Sequence, residues 1–221
     1  DNGKEYVVLN RDRNANTSSI DVYSYKSGEK VRSLLNSKDL SEISGFQGFE
    51  LSENEDKILL STNMEQIYRR SSRGIYYIYD VEDKTLTKLS DNKVQEPTFS
   101  PDASKVAYVF ENNIYTYDIA SGEETQVTKD GEKNKLINGV TDWVYEEEFA
   151  FVRAFDWNKT GTHLAYLKFD ESEVPEFSMD MFGQDLYPSQ QVFKYPKAGE
   201  ANSEVSLYTY ELAAEESEKG S

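Results

Sequence analysis

A repeated pair of hairpins constrains this chain more than any other feature. Four segments alternate an aromatic residue with another side chain and then meet a polar or turn-prone stretch: Tyr23-Ser24-Tyr25-Lys26, Tyr77-Ile78-Tyr79-Asp80, Tyr115-Thr116-Tyr117-Asp118 and Tyr208-Thr209-Tyr210-Glu211. After the first and third come Lys26-Ser27-Gly28-Glu29 and Ala120-Ser121-Gly122-Glu123, turns in which glycine takes positive φ. Period-2 patterning around such a turn predicts two antiparallel strands. A second unit precedes the last three segments. It runs from Leu51-Ser52-Glu53-Asn54 to Lys57-Ile58-Leu59-Leu60, then from Phe99-Ser100-Pro101-Asp102 to Lys105-Val106-Ala107-Tyr108, then from Trp157-Asn158-Lys159-Thr160 to His163-Leu164-Ala165-Tyr166. In each copy a bulky residue enters, a polar turn follows and an apolar strand leaves, which is another hairpin.

Two hairpins per period make four strands, and four-stranded sheets recurring every 40–60 residues or so predict a β-propeller. The expected fold is therefore all-β, a propeller segment of about three to four four-stranded blades spanning residues 1–212, followed by a polar acidic tail at 213–221. The first copy is incomplete, with Tyr6-Val7-Val8-Leu9 as its inner strand. An unrelated β-sandwich is the competing arrangement. The long intervals at residues 129–152 and 170–204 are expected to be loops, where a rigid scaffold carries its binding residues.

Composition narrows the chemistry. Aromatic residues make up 13% of the chain, with 16 Tyr and 11 Phe, which favours strands over helices. The net charge of −17 argues against nucleic acid and anionic membrane surfaces as partners and suits cations or basic peptides. With no cysteine, disulfides and thiolate metal sites are excluded. No run of about 18 apolar residues predicts a membrane-spanning helix. The only histidine, His163, takes the place that Lys57 and Lys105 hold in the repeat and is expected to be a surface turn residue. No G-x-S-x-G nucleophile elbow occurs, so no catalytic residue is assigned within this chain, and neither a metal nor a cofactor is expected. Asp1 in place of an initiator Met points to a processed or trimmed chain.

The stretch Asp142-Trp143-Val144-Tyr145-Glu146-Glu147-Glu148 is the unusual chemistry. Adjacent carboxylates repel, and burial raises that cost unless a cation neutralises them. A peptide α-amine, protonated at neutral pH, is one such cation, and two carboxylates hold it by charge-assisted bonds. In a strand Glu147 and Glu148 would face opposite sides, and in a helix they diverge by about 100°. Convergence on one nitrogen needs a short or irregular helical turn. A solvated acidic turn and a calcium site remain as alternatives, although the spaced Asp and Asn of a calcium loop are missing.

This string, with Asn138-Gly139-Val140-Thr141 before it and Tyr195-Pro196-Lys197-Ala198-Gly199 downstream, resembles the dipeptidyl peptidase IV family of prolyl-oligopeptidase-like serine exopeptidases. The resemblance covers nearly the whole chain, as part of the family's N-terminal propeller without the α/β-hydrolase domain. It implies a short helix bearing the motif. It implies Glu147 and Glu148, rather than Glu146, as the pair that grips the substrate's N-terminal ammonium. It places Arg69, within Gln66-Ile67-Tyr68-Arg69-Arg70-Ser71-Ser72, on the substrate carbonyl or on the carboxylate of neighbouring groups, with Arg70 as the register-shifted alternative, and makes Trp143 and Tyr145 braces for the motif. It further implies removal of Xaa-Pro or Xaa-Ala dipeptides by the parent enzyme, no hydrolysis by this chain alone, a periplasmic, cell-surface or secreted location, and a homodimer with much of its surface beyond Leu212. The competing functions are a non-catalytic peptide-binding propeller and a protein-binding scaffold.

Overall fold

Antiparallel meanders build almost everything in the computed structural model, which describes residues 3–212. The tail expected at 213–221 lies outside the described residues. The chain divides into two compact units: one takes the residues up to Glu65 together with Arg73–Val94, the other takes Gln66–Ser72 and the residues from Gln95 onward.

In the first unit, β1 (Glu5–Asp12), β2 (Thr17–Ser24) and β3 (Lys30–Asn36) form a three-stranded sheet in sequential order. A four-stranded meander follows, made of β4 (Gly48–Leu51), β5 (Lys57–Gln66), β6 (Ser72–Asp80) and β7 (Leu86–Lys88). Its core joins Ile20, Leu35 and Phe46 to Ile58, Leu60 and Tyr79. Asp21 is buried in the first sheet, where Asn10, Ser19 and Ser33 donate to it and Lys30 pairs with it at 2.8 Å. Burial alone would push this carboxyl up, but those four donors together hold it down at about 2.

In the second unit, β8 (Gln95–Phe99), β9 (Lys105–Phe110), β10 (Asn113–Asp118) and β11 (Glu124–Gln126) repeat the four-stranded meander. Next come β12 (Leu136–Asn138), the helix α1 (Trp143–Phe149), β13 (Phe155–Trp157) and β14 (His163–Asp170). Both β12 and β13 pair with β14, which also pairs along its length with β17 (Glu204–Glu211). Between β14 and β17 stand β15 (Glu176–Met181) and β16 (Ser189–Lys194), a separate two-stranded hairpin. The interval 170–204 is thus a structured arm, where the sequence predicted a loop. These three- and four-stranded antiparallel sheets, with the two-stranded hairpin and one short α-helix, match the propeller segment that the repeat predicts.

The repeated motifs fold by one local device. Ser52 Oγ accepts from Lys57 N, Ser100 Oγ accepts from Lys105 N, and Asn158 Oδ1 accepts from His163 N, so a side-chain oxygen closes each polar turn. Gly28 and Gly122 take φ of 71° and 73° in the turns where positive φ was expected. Lys57 pairs with Asp80 at 3.3 Å and Lys105 pairs with Asp118, which ties the exit of one hairpin to the end of the Tyr-x-Tyr strand. His163 occupies the same place and lies opposite Glu211 in the β14–β17 register.

Candidate functional site

Helix α1 is short because both of its ends are defined locally. Asp142 caps its start, its carboxylate accepting from Tyr145 N at 2.9 Å and from Ser203 Oγ at 2.5 Å. Ala150 stops it in the left-handed region at φ 60°. One face is anchored by Tyr145, whose ring packs against Phe149, Phe151 and Phe169. Trp143 packs instead against Tyr195, with ring centroids 4.5 Å apart and the planes tilted by 49°, and lies 6.4 Å from the Phe193 ring. The segment Tyr195-Pro196-Lys197-Ala198-Gly199 and the arm therefore meet the motif through aromatic rings.

Successive helical residues turn by about 100°, so the three glutamates face three ways. Glu146 is fully buried and accepts from the backbone N–H of Arg70 at 2.6 Å and of Ser71 at 2.9 Å. Glu147 faces Arg69, whose Nε lies 3.0 Å from one carboxylate oxygen and 2.9 Å from the other. Glu148 is exposed, and among the described residues no ion pair or hydrogen bond engages it. Both outward glutamates stand in the last turn, where the helix has no basic residue and its carbonyl end is already negative. That end favours an incoming cation.

Arg69 belongs to a tight loop. Ile67 N donates to Ser71 O, Tyr68 N donates to Ser71 Oγ, and Gln66 Nε2 donates to Tyr68 O. The loop presents Arg69 outward, with its side chain 71% exposed, while Tyr68 packs inward against Phe193. Of the two arginines the sequence offered, Arg69 brings its guanidinium to the motif and Arg70 brings its backbone N–H. Burial pushes the Tyr68 hydroxyl up to about 12, helped by the charges of Glu171, Glu146 and Asp142. Glu171, also buried, is pushed up to about 7 by desolvation and by Asp142 and Asp170, against the pull of Lys194. Sequence reading assigned no part to Glu146 beyond excluding it from the pair, and it did not single out Glu171 at all. Glu146 meets Arg70 and Ser71 some 75 residues away, and Glu171 owes its shift chiefly to burial, so no local pattern marks either.

Among the described residues no cluster of three or more metal-ligating side chains occurs, and no helix is long and apolar enough to cross a membrane. Residues 52–220 match the family model of the dipeptidyl peptidase IV (DPP IV) N-terminal region. The chain is 40% identical over 161 residues to dipeptidyl aminopeptidase B of Saccharomyces cerevisiae, covering 71% of this chain and 19% of that protein. It is 30% identical over 209 residues to the human prolyl endopeptidase FAP, covering 93% of this chain and 27% of that one. The crystal structure of Porphyromonas gingivalis dipeptidyl peptidase 4 superimposes with a TM-score of 0.83 at 40% identity, over 93% of this chain and 31% of that chain. The chain thus spans between a fifth and a third of the length of these relatives. On the family match and the shared fold, it belongs to the dipeptidyl peptidase IV family, as part of that family's N-terminal region.

Proposed function

We propose that this chain is the amine-recognising part of a serine dipeptidyl aminopeptidase that removes Xaa-Pro or Xaa-Ala dipeptides from peptide N-termini. The observation that carries this reading is the pairing of Arg69 with Glu147 at 2.9–3.0 Å beside an unengaged Glu148 on the same short helix. An ammonium entering there takes Glu147 and draws the Glu148 side chain toward it, so three carboxylate-facing N–H donors are shared between two acids. Arg69 holds Glu147 through Nε and keeps its two terminal amino groups for the substrate's carbonyl. An exopeptidase counts residues from the free end, and this charge is the only landmark there. Charge-assisted hydrogen bonds contribute roughly 1.5–3 kcal/mol each when sheltered.

The nucleophile, its base and the pocket for the second residue belong to the α/β-hydrolase domain of the parent protein, and this chain alone has no hydrolytic activity in our account. Periplasm, cell surface or extracellular space is the compartment we assign. The homodimer we assign finds an apolar surface inside this chain: the arm between β15 and β16 exposes Phe182, Leu186 and Tyr187.

The test is kinetic. In the full-length protein, Glu147→Ala with Glu148→Ala should lower kcat/KM on a Gly-Pro amide by at least about a hundredfold, with labelling of the active serine by a fluorophosphonate unchanged. Unaltered kcat/KM sinks the reading. Binding of a free-amine peptide without any turnover by the full-length protein favours the non-catalytic alternative.

A further inference from the structure

We infer that Glu146 is a positioning residue for the amine site: its buried carboxylate fixes the loop that carries Arg69, so that the guanidinium stands opposite Glu147 before substrate arrives. This rests on the amine-binding reading above. One oxygen, Glu146 Oε1, accepts both the Arg70 and the Ser71 N–H, at 2.6 and 2.9 Å. Two consecutive backbone donors aimed at one anion fix the loop's orientation as well as its distance. Glu146 is 1% exposed and Ser71 is 4% exposed, so the bond from Ser71 N–H is shielded from water and the bond from Arg70 N–H is partly shielded. Arg69 is the residue directly before this clamp, and its side chain is mostly exposed. Among the described residues no ion pair or hydrogen bond other than the Glu147 pair restrains it, so its direction is set by the backbone it grows from. The helix contributes the other half of the device: Glu146 and Glu147 are adjacent, and the residue that clamps the loop is rigidly coupled to the residue that receives the arginine.

A residue that merely holds the fold would lower activity whatever happens at Arg69. A residue that acts through Arg69 would not. The experiment is a double-mutant cycle in the full-length protein, reading kcat/KM on a free-amine Xaa-Pro amide together with the melting temperature. Glu146→Ala should lower kcat/KM about tenfold, mainly through KM. Glu146→Gln, whose amide oxygen can accept the same two N–H groups, should recover it to within about threefold of wild type. In an Arg69→Ala background, Glu146→Ala should cost less than about twofold more. Wild-type kinetics in Glu146→Ala, or a loss that persists at full size without Arg69, overturns the positioning role. Should Glu146→Ala fail to fold, Glu146→Asp, whose shorter side chain draws the carboxylate back from the two N–H groups, carries the same cycle, and its loss in kcat/KM should likewise shrink to under about twofold in the Arg69→Ala background. If the Glu147→Ala, Glu148→Ala enzyme is unimpaired, the amine site falls and this inference with it. If that enzyme is impaired and Glu146→Ala is not, only this inference falls.

Discussion

Arg69 Nε stands 2.9 Å from one oxygen of Glu147 and 3.0 Å from the other, so a single N–H bisects the carboxylate. The arginine is 71% exposed, and an ion pair that open to water contributes little to folding, about 0–1 kcal/mol. Its consequence is orientation: Glu147 is held without using the guanidinium's outer amino groups. Arg69→Ala should therefore leave the melting temperature nearly unchanged and lower kcat/KM on dipeptide amides about tenfold. A large drop in melting temperature with intact kinetics would show that the pair is structural.

Glu171 supplies a pH prediction. Its carboxyl is pushed from 4.5 to about 7 in the folded chain, chiefly by burial. The native state then holds a proton that the unfolded chain has released between these values, so stability is greatest below about pH 4.5 and falls as pH rises through about 7. The loss amounts to roughly 3 kcal/mol at most. The groups facing it are Asp142 and Asp170, which oppose its ionisation, and Lys194, which favours it. Glu171→Gln should remove this slope and make the protein more stable than wild type at pH 8, as measured by urea unfolding at pH 5 and pH 8. Parallel curves for the two proteins would contradict it.

Gly139 opens the segment that leads into α1, and its backbone is fixed at both ends: its N–H donates to Leu167 O and its carbonyl accepts from Ala154 N. At φ 79°, an added Cβ would lie 2.7 Å from Ile114 Cγ1 and 3.1 Å from Val109 Cγ2, both side chains fully buried. Gly139→Ala should cost roughly 2–4 kcal/mol, from the left-handed conformation and from overpacking. Unfolding by denaturant measures it, and a loss under about 0.5 kcal/mol would mean that this corner repacks freely.

The arm's exposed side chains, Phe182, Leu186 and Tyr187, carry the dimer prediction. Phe182→Asp with Leu186→Asp should shift the full-length protein from dimer to monomer in sedimentation velocity, because a desolvated charge is costly at an apolar contact. A dimer of unchanged stability would place the interface elsewhere.

What the sequence disclosed was local. The hairpins could be read from Gly28 and Gly122 and from the Ser52, Ser100 and Asn158 turns, since each is closed by residues within a few positions of one another. A short helix at the acidic motif was expected from the family resemblance, while its cap, Asp142, emerged only in the structure. The arm at β15 and β16 was not legible, because Glu176–Met181 is mostly exposed and lacks the buried alternation that marks a core strand. Nor was the division of labour among the glutamates. Glu146 meets Arg70 and Ser71 across some 75 residues of chain, and only folding makes that carboxylate an internal acceptor.

Glu147 and Glu148 together are proposed to read a positive chain end. That role is tested most directly by the ratio of kcat/KM for an Xaa-Pro amide to that for its analogue lacking only the α-amine, measured on the full-length protein and on Glu147→Gln with Glu148→Gln. The wild type should prefer the free amine by about a hundredfold or more, and the variant by no more than about threefold. A variant that keeps the full preference for the free amine would contradict it.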